Sequence, residues 1–330
     1  MKMIELVERF PAQLTEALEI GQKATINKHT TAIRNVFVSG LGGSGIGANF
    51  TAEFVRDELK IPFTVSKGYD IPKSVGKNTL AIVSSYSGNT EETLSAFEML
   101  LQTGAKIVCV ASGGKVIEKA KVLGLDYIQV PGNWPSPRAC LGFSFVQQLF
   151  ILNKLKLISS KTIKQLDGAI KLLEKEREKL KIQAQKVAQQ LHGTIPVIYT
   201  TDRMESVAVR FRQQINENAK ALCWHHVIPE MNHNELVGWR EKNEKLSVVY
   251  FRNTDDFPRN AMRIDINKGI LKEYTSHIIE LWSKGRNQIE KELYFVFLGD
   301  YITCYLCDLR GFDSIEVKVI DYLKSELAKV

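Results

Sequence analysis

Convergent metal ligands are what this sequence most plainly lacks. None of its 6 histidines stands in an H-x-H or H-E-x-x-H pair, and the adjacent His225 and His226 diverge if they lie on a strand. A zinc site is therefore not expected. Cysteine is sparse as well. The 5 thiols, Cys109, Cys140, Cys223, Cys304 and Cys307, are odd in number and scattered, which argues against a disulfide framework. Cys304 and Cys307 do form C-x-x-C, but inside the apolar helical run YFVFLGDYITCYLCDLRG. Their spacing sets both thiols on one helix face, where cysteine packs as a small hydrophobe.

No apolar run approaches the length that spans a bilayer, and the N-terminus, MKMIELVERFPAQ, carries no signal-peptide core. A cytoplasmic location with no membrane partner is the expectation. Charge of one sign is also not concentrated. The formal charge of +7 comes from 44 basic and 37 acidic residues, and lysines are spread through mixed stretches such as KLLEKEREKLK. Without a basic stripe interleaved with aromatics, nucleic acid is not an expected partner. A small anionic substrate is compatible with this balance.

What is present is an alternating pattern. The 330 residues, 44% hydrophobic and 25% charged, suit one large globular domain or two ordinary ones. From residue 36, VFVS, IGANFTAEFVRDEL, PFTVSKGY, LAIVSS, a helix from about Thr90, KIVCVAS and DYIQV alternate strand with helix, the pattern of a parallel sheet covered on both faces. The loop PGNWPSPRAC then leads to the apolar helix LGFSFVQQLFILNKL. Between 160 and 191, Ile163, Leu166, Ile170, Leu173, Leu180, Ala184, Val187 and Leu191 recur at three- and four-residue steps, with Arg177 interrupting the seam. That spacing predicts an amphipathic connecting helix. A second alternation follows, from PVIYT through ALCWHHV, LSVVYFR and HIIELWS to two terminal helices. The expected division is 1–157 for a lead-in plus a first α/β domain, 158–192 for the connector, and 193–330 for a second domain. A ligand would sit beyond the carboxyl ends of the strands.

Two loops carry the chemistry of the first half. VSGLGGSGIG, Val38 to Gly47, contains G-x-G-x-x-G at Gly40, Gly42 and Gly45. It follows a short strand and opens a helix, so its N–H groups suit a dinucleotide, a sugar phosphate or a bare phosphate equally. SSYSGNTEE, residues 84–92, also follows an apolar strand and precedes a helix. Ser84, Ser85, Ser87 and Thr90 crowd hydroxyls around a glycine there, a phosphate cradle that needs neither metal nor lysine. Taken alone it could be a serine-rich turn with an N-cap. A dinucleotide would not need this second cradle. The paired loops resemble the sugar isomerase (SIS) domain, which implies that Ser85, Ser87 and Thr90 hold the phosphate of a phosphosugar while Gly42, Gly43 and Ser44 approach the sugar.

The second half resembles one family more sharply. RFRQQINENAKALCWHHVIPEMNHNELVGW looks like the signature region of the bifunctional phosphoglucose/phosphomannose isomerases. The resemblance implies an α/β fold of two SIS-type doubly wound domains, each with a parallel five-stranded sheet. It implies a catalytic Glu217 in N-E-N-A-K, a catalytic His233 in N-H-N-E, Arg138 in SPRAC, and Lys324 in IDYLK. It further implies conversion of glucose 6-phosphate or mannose 6-phosphate to fructose 6-phosphate with no cofactor and no metal, in a homodimer whose active site is shared.

Those residue types suit aldose–ketose chemistry. One carboxylate, Glu217, can move a proton between C2 and C1 on one face of a cis-enediol(ate). Ring opening needs proton transfer near neutrality, work for an imidazole such as His233. Arg138 would offset charge on the enediolate oxygens, and Lys324 could donate near the ring oxygen. Each also has a plainer role: a surface glutamate, a solvated loop histidine, a helix-capping arginine, a solvent-facing lysine. Competing functions are a non-catalytic phosphosugar-binding regulator, an isomerase of another phosphosugar, a glutamine-dependent aminosugar synthase, and a dehydrogenase. The regulator would need a helix-turn-helix segment and the synthase an N-terminal cysteine nucleophile, neither of which is seen. The dehydrogenase rests on the glycine fingerprint alone, with Asp70 the nearest acid to answer it.

Overall fold

The computed structural model describes residues 2–329. The chain opens with α1 (Met3–Glu8) and α2 (Phe10–Lys23). It then alternates β1 (Asn35–Ser39), α3 (Gly42–Val55), β2 (Phe63–Ser66), β3 (Thr79–Ser84), α4 (Glu91–Leu101), β4 (Lys106–Ala111), α5 (Gly114–Val122) and β5 (Asp126–Gln129). Two helices follow, α6 (Leu141–Lys154) and α7 (Lys161–Leu191). The later alternation is β6 (Ile195–Thr201), α8 (Glu205–Glu217), β7 (Trp224–Ile228), β8 (Leu246–Arg252), α9 (Pro258–Leu271) and β9 (Ile278–Trp282), closed by α10 (Gln288–Arg310) and α11 (Lys318–Leu327). Two compact units result. One holds Arg9–Glu174 with Asn287–Glu290, and the other is built around Lys175–Arg286 with the segments before Arg9 and after Glu290.

In the first unit five parallel strands stand in the order β2-β1-β3-β4-β5. Every residue of β3, TLAIVS, is buried, as a strand covered on both faces requires. Phe37, Ala81 and Val83 pack with Phe97 and Leu100 of α4 and Val116 and Ile117 of α5. On α3, a Cβ at Gly47 would lie 2.4 Å from Ser144 Oγ of α6, so only glycine lets these helices approach so closely.

The second unit has four parallel strands, β7-β6-β8-β9, where five were expected. After Trp282 the sequence offers only Ser283–Asn287 before the 23-residue α10 begins, which leaves no further apolar run of strand length. The core of this unit joins Val197, Tyr199, Val248 and Tyr250 to Ile264 and Leu271 of α9. Cys304 and Cys307 are buried on α10 and form no disulfide. Along α7, Leu166, Ile170, Leu173, Leu180, Ala184, Val187 and Leu191 are all buried. The interruption of that seam includes a buried Glu176, whose carboxylate accepts from Lys284 at 2.5 Å. That ammonium, its largest influence, holds Glu176 below the usual carboxylate range.

Candidate active site

From β1 the chain of the first unit steps to β2 on one side; it then crosses to β3 and proceeds outward to β4 and β5 on the other. The crevice between β1 and β3 is therefore the switch point where open α/β sheets receive ligands. Ser39 pairs with Val83, so the glycine and serine loops leave the sheet side by side. Their contact explains the glycines. A Cβ at Gly40 would lie 2.8 Å from the Ser84 carbonyl oxygen, and one at Gly45 would lie 2.4 Å from that of Gly40. Gly42 adopts φ +50, which an L side chain resists. Ser44 is buried, and its Oγ accepts the Tyr86 N–H at 3.1 Å. This hydroxyl binds one loop to the other.

Within the serine loop the hydroxyls divide into braces and open groups. Ser85 is buried; its Oγ lies 2.9 Å from Thr90 Oγ1 and accepts the Gly88 N–H at 3.1 Å. Gly88 sits at φ +70, where a Cβ would come within 1.9 Å of the Gly113 carbonyl oxygen. Ser87 is exposed and its Oγ accepts the Asn89 N–H at 3.2 Å. Thr90 is the N-cap residue of α4, and the first main-chain bond of that helix runs from the Leu94 N–H to the Thr90 carbonyl. The N–H groups of Glu91, Glu92 and Thr93 thus precede any intrahelical acceptor. With the positive end of the helix dipole behind them, they form an anion seat fronted by Ser87 and Thr90.

Tyr86 was not singled out from the sequence. Its hydroxyl donates to the Pro131 carbonyl at 2.8 Å, and its own carbonyl accepts from the Ser112 hydroxyl at 2.7 Å. Burial pushes its phenol pKa up. Its place within the motif SSYSGNT is the signal in the sequence, but an aromatic there carries no phosphate chemistry of its own.

Arg138 lies in the single turn Pro137–Ala139 and is 7% exposed. A Cβ at Gly43 would meet the Pro137 carbonyl oxygen at 3.2 Å and the Arg138 Cα at 3.7 Å, so this turn rests on the glycine loop. Gln13 of α2 grips it on the far side. Its Nε2 donates to the Ala139 carbonyl at 2.7 Å, and its Oε1 accepts the Gly142 N–H at 2.8 Å. Gly42, Gly43, Ser44, Ser85, Ser87, Thr90 and the turn bearing Arg138 therefore lie beyond the carboxyl ends of the central strands β1 and β3.

The other candidates belong to the second unit and stand on separate elements. Glu217 is the half-buried last residue of α8. Next to it, Asn218 is fully buried and its Nδ2 donates to Thr303 Oγ1 at 3.0 Å, which fixes the helix end against α10. His233 ends a short turn, Glu230–His233, and is exposed. The flanking asparagines bond elsewhere: Asn232 Nδ2 to Asn267 Oδ1 at 2.8 Å, and Asn234 Nδ2 to Glu230 Oε1 at 2.9 Å. The loop is anchored by Glu235, whose Oε1 accepts from the Tyr199 hydroxyl at 2.6 Å and the Trp224 indole at 2.9 Å. Lys324 is exposed on α11. Among the described residues, no three His, Cys, Asp or Glu side chains are grouped as metal ligands.

A family model described as the bacterial phospho-glucose isomerase C-terminal SIS domain matches residues 180–327. The chain also superposes on the C-terminal domain of glucosamine-fructose-6-phosphate aminotransferase from Francisella tularensis. The TM-score is 0.76, with 94% of this chain and 97% of that one covered at 13% identity. Parallel sheets flanked by helices, with the loop pair at the switch point, define the class as a protein of the sugar isomerase fold. Among sequence relatives, the bifunctional phosphoglucose/phosphomannose isomerase of Caldicellulosiruptor bescii is 38% identical over 99% of both chains. That of Aquifex aeolicus is 36% identical over 92% of this chain and 93% of its own. The chain belongs to the bifunctional phosphoglucose/phosphomannose isomerase family.

Proposed function

We propose that this protein is a metal-independent aldose–ketose isomerase that interconverts glucose 6-phosphate and mannose 6-phosphate with fructose 6-phosphate. The observation that carries the reading is the anion seat of Ser87, Thr90 and the α4 N-terminus, together with a buried Arg138 whose turn rests on the glycine loop. Phosphate held there orients the sugar. His233 moves the proton of ring opening, with Lys324 as donor near the ring oxygen. Glu217 then carries the proton between C2 and C1 while Arg138 offsets charge on the enediolate oxygens. After ring opening, rotation about C2–C3 presents either epimer's proton to the same carboxylate.

The exposed His233, with its flanking asparagines engaged elsewhere, supports a homodimer in which one copy's imidazole completes the site of the other. No helix among the described residues is long and apolar enough to cross a membrane, which agrees with a cytoplasmic place of action.

The test is a coupled assay of purified protein with each aldose phosphate before and after exhaustive chelation. Both substrates should yield fructose 6-phosphate, with kcat/KM values within about ten- to thirtyfold of each other, and chelation should change neither. Mannose 6-phosphate slower by more than about a thousandfold would leave a phosphoglucose isomerase only. Phosphosugar binding without turnover would favour the non-catalytic regulator.

A further inference from the structure

Lys220 stands three residues beyond Glu217 at φ +54, in the left-handed region that at a helix end is ordinarily given to glycine or asparagine. Backbone strain of this kind persists where something else holds the residue in place. Its side chain supplies a reason. The ammonium donates to the Glu217 carbonyl oxygen at 2.6 Å and to the Glu316 carbonyl oxygen at 2.5 Å. The main-chain oxygen of Lys220 accepts from the Arg310 guanidinium at 3.2 Å. Glu316 comes two residues before α11, the helix that carries Lys324. One cation thus ties the end of α8 to the root of α11.

The attachment matters because α11 buries none of its residues. Val319, Tyr322, Leu323 and Leu327 on it are at least half exposed, so packing within this chain does not set where the helix lies. Its root does. The ammonium also meets the carbonyl end of α8, where the helix dipole favours a cation. The end of α8 itself has a second hold in the bond between Asn218 and Thr303.

We propose that Lys220 is a positioning residue of the isomerase. It holds the elements bearing Glu217 and Lys324 at a fixed separation through two main-chain oxygens, without touching substrate. This rests on the reading of Glu217 as the base and Lys324 as the ring-opening donor.

The test uses the full-length protein with Lys220→Met, Lys220→Gly, Glu217→Gln and the double variant Lys220→Met/Glu217→Gln. Hydrogen exchange across residues 311–327 should speed up in both Lys220 variants. Their kcat should fall about tenfold or more with KM within about twofold, and the thermal midpoint should move little because Asn218 still pins α8. In the double variant, the loss in kcat should be smaller than the product of the two single losses, since part of the Lys220 effect acts through Glu217 itself. Unchanged exchange in α11, or wild-type kcat in Lys220→Gly, would overturn the proposal. So would full multiplication of the two losses. Full turnover in Glu217→Gln would instead remove the assignment of the base, while faster exchange in α11 would still uphold the tether.

Discussion

The segments that follow β3 and β8 occupy equivalent places in their sheets. Each leaves the strand that lies just across the switch point from the first strand of its unit, in the orders β2-β1-β3-β4 and β7-β6-β8-β9. After β3 come Ser85 and Thr90, whose hydroxyls bond each other, and Ser87, followed by the Glu91, Glu92 and Thr93 N–H groups that open α4 without an intrahelical acceptor. After β8 come Asn253, Thr254, Asp255 and Asp256, and here carboxylates of the loop itself accept from Asn253 and Lys291. Asp256 accepts the Asn253 N–H at 2.9 Å and its Nδ2 at 3.2 Å. Arg252 donates to Asp265 at 2.6 Å and to Glu280 at 2.7 Å, and the Lys291 ammonium is paired with Asp255. The second loop supplies its own anions. A repeated fold plan is therefore no guide to a repeated site: the charge placed in the loop decides whether a phosphate can enter. On the proposed function, phosphate binding is assigned to residues of the first unit and proton transfer to Glu217 and His233, which belong to the second.

The largest expected effect probes that division directly. Glu217→Gln should lower kcat by at least about a hundredfold while leaving substrate binding nearly intact, because the amide keeps the shape and loses the base. Steady-state kinetics with both aldose phosphates measures it, and the two activities should fall together. A variant that retains turnover would take the base out of the second unit.

Next in size is the conversion of the first loop toward the character of the second. Ser87 is exposed, so Ser87→Asp should fold while placing a carboxylate at the anion seat. Phosphosugar affinity should weaken by at least about thirtyfold, more than the roughly 1–2 kcal/mol expected for Ser87→Ala or Thr90→Ala, which each remove one charge-assisted hydrogen bond. Calorimetric titration with a phosphosugar compares the three. Equal affinities across the series would move the phosphate away from this loop.

Much of this was legible in the sequence, for reasons that also mark its limits. The buried runs of β1, β3 and β4 and the three- and four-residue seam of α7 report burial, and burial is what periodicity encodes. The paired loops could be placed at strand-to-helix junctions because glycine and serine clusters between apolar runs mark such turns. Individual partners could not be read. Ser44 turned out to bind Tyr86, the asparagines beside His233 turned to Asn267 and Glu230, and Lys220 reached Glu316 across 96 residues of chain. Nor does pattern alone reveal that the second sheet stops at β9, since the fifth strand was implied by the family resemblance and not by an apolar run.

The smallest effect concerns Asp256, the carboxylate the second loop keeps for itself. Burial, the largest influence on it, outweighs the Asn253 hydrogen bonds and the Arg252 charge, and its pKa lies above the ordinary aspartate value. A carboxyl whose pKa is raised on folding favours the folded state most when protonated. Its contribution is complete below the unfolded pKa and is lost as pH rises through the folded one. At pH 7 the charge is therefore a mild burden, reduced by solvent screening because the side chain is only partly buried. Asp256→Asn removes that burden and keeps an oxygen to accept the Asn253 N–H, but gives up the bond from Asn253 Nδ2. The two effects oppose each other, so the variant should stay within about 1 kcal/mol of the parent at pH 7. The parent should then gain on the variant as pH falls to about 4.5. Paired urea midpoints at the two pH values measure the difference. A variant weaker than the parent by more than about 1 kcal/mol at pH 7 would mean that the charged carboxylate is a net bond in this loop. The second loop would then hold its own carboxylate as a true internal anion site, the place that on the proposed function a phosphate takes in the first loop.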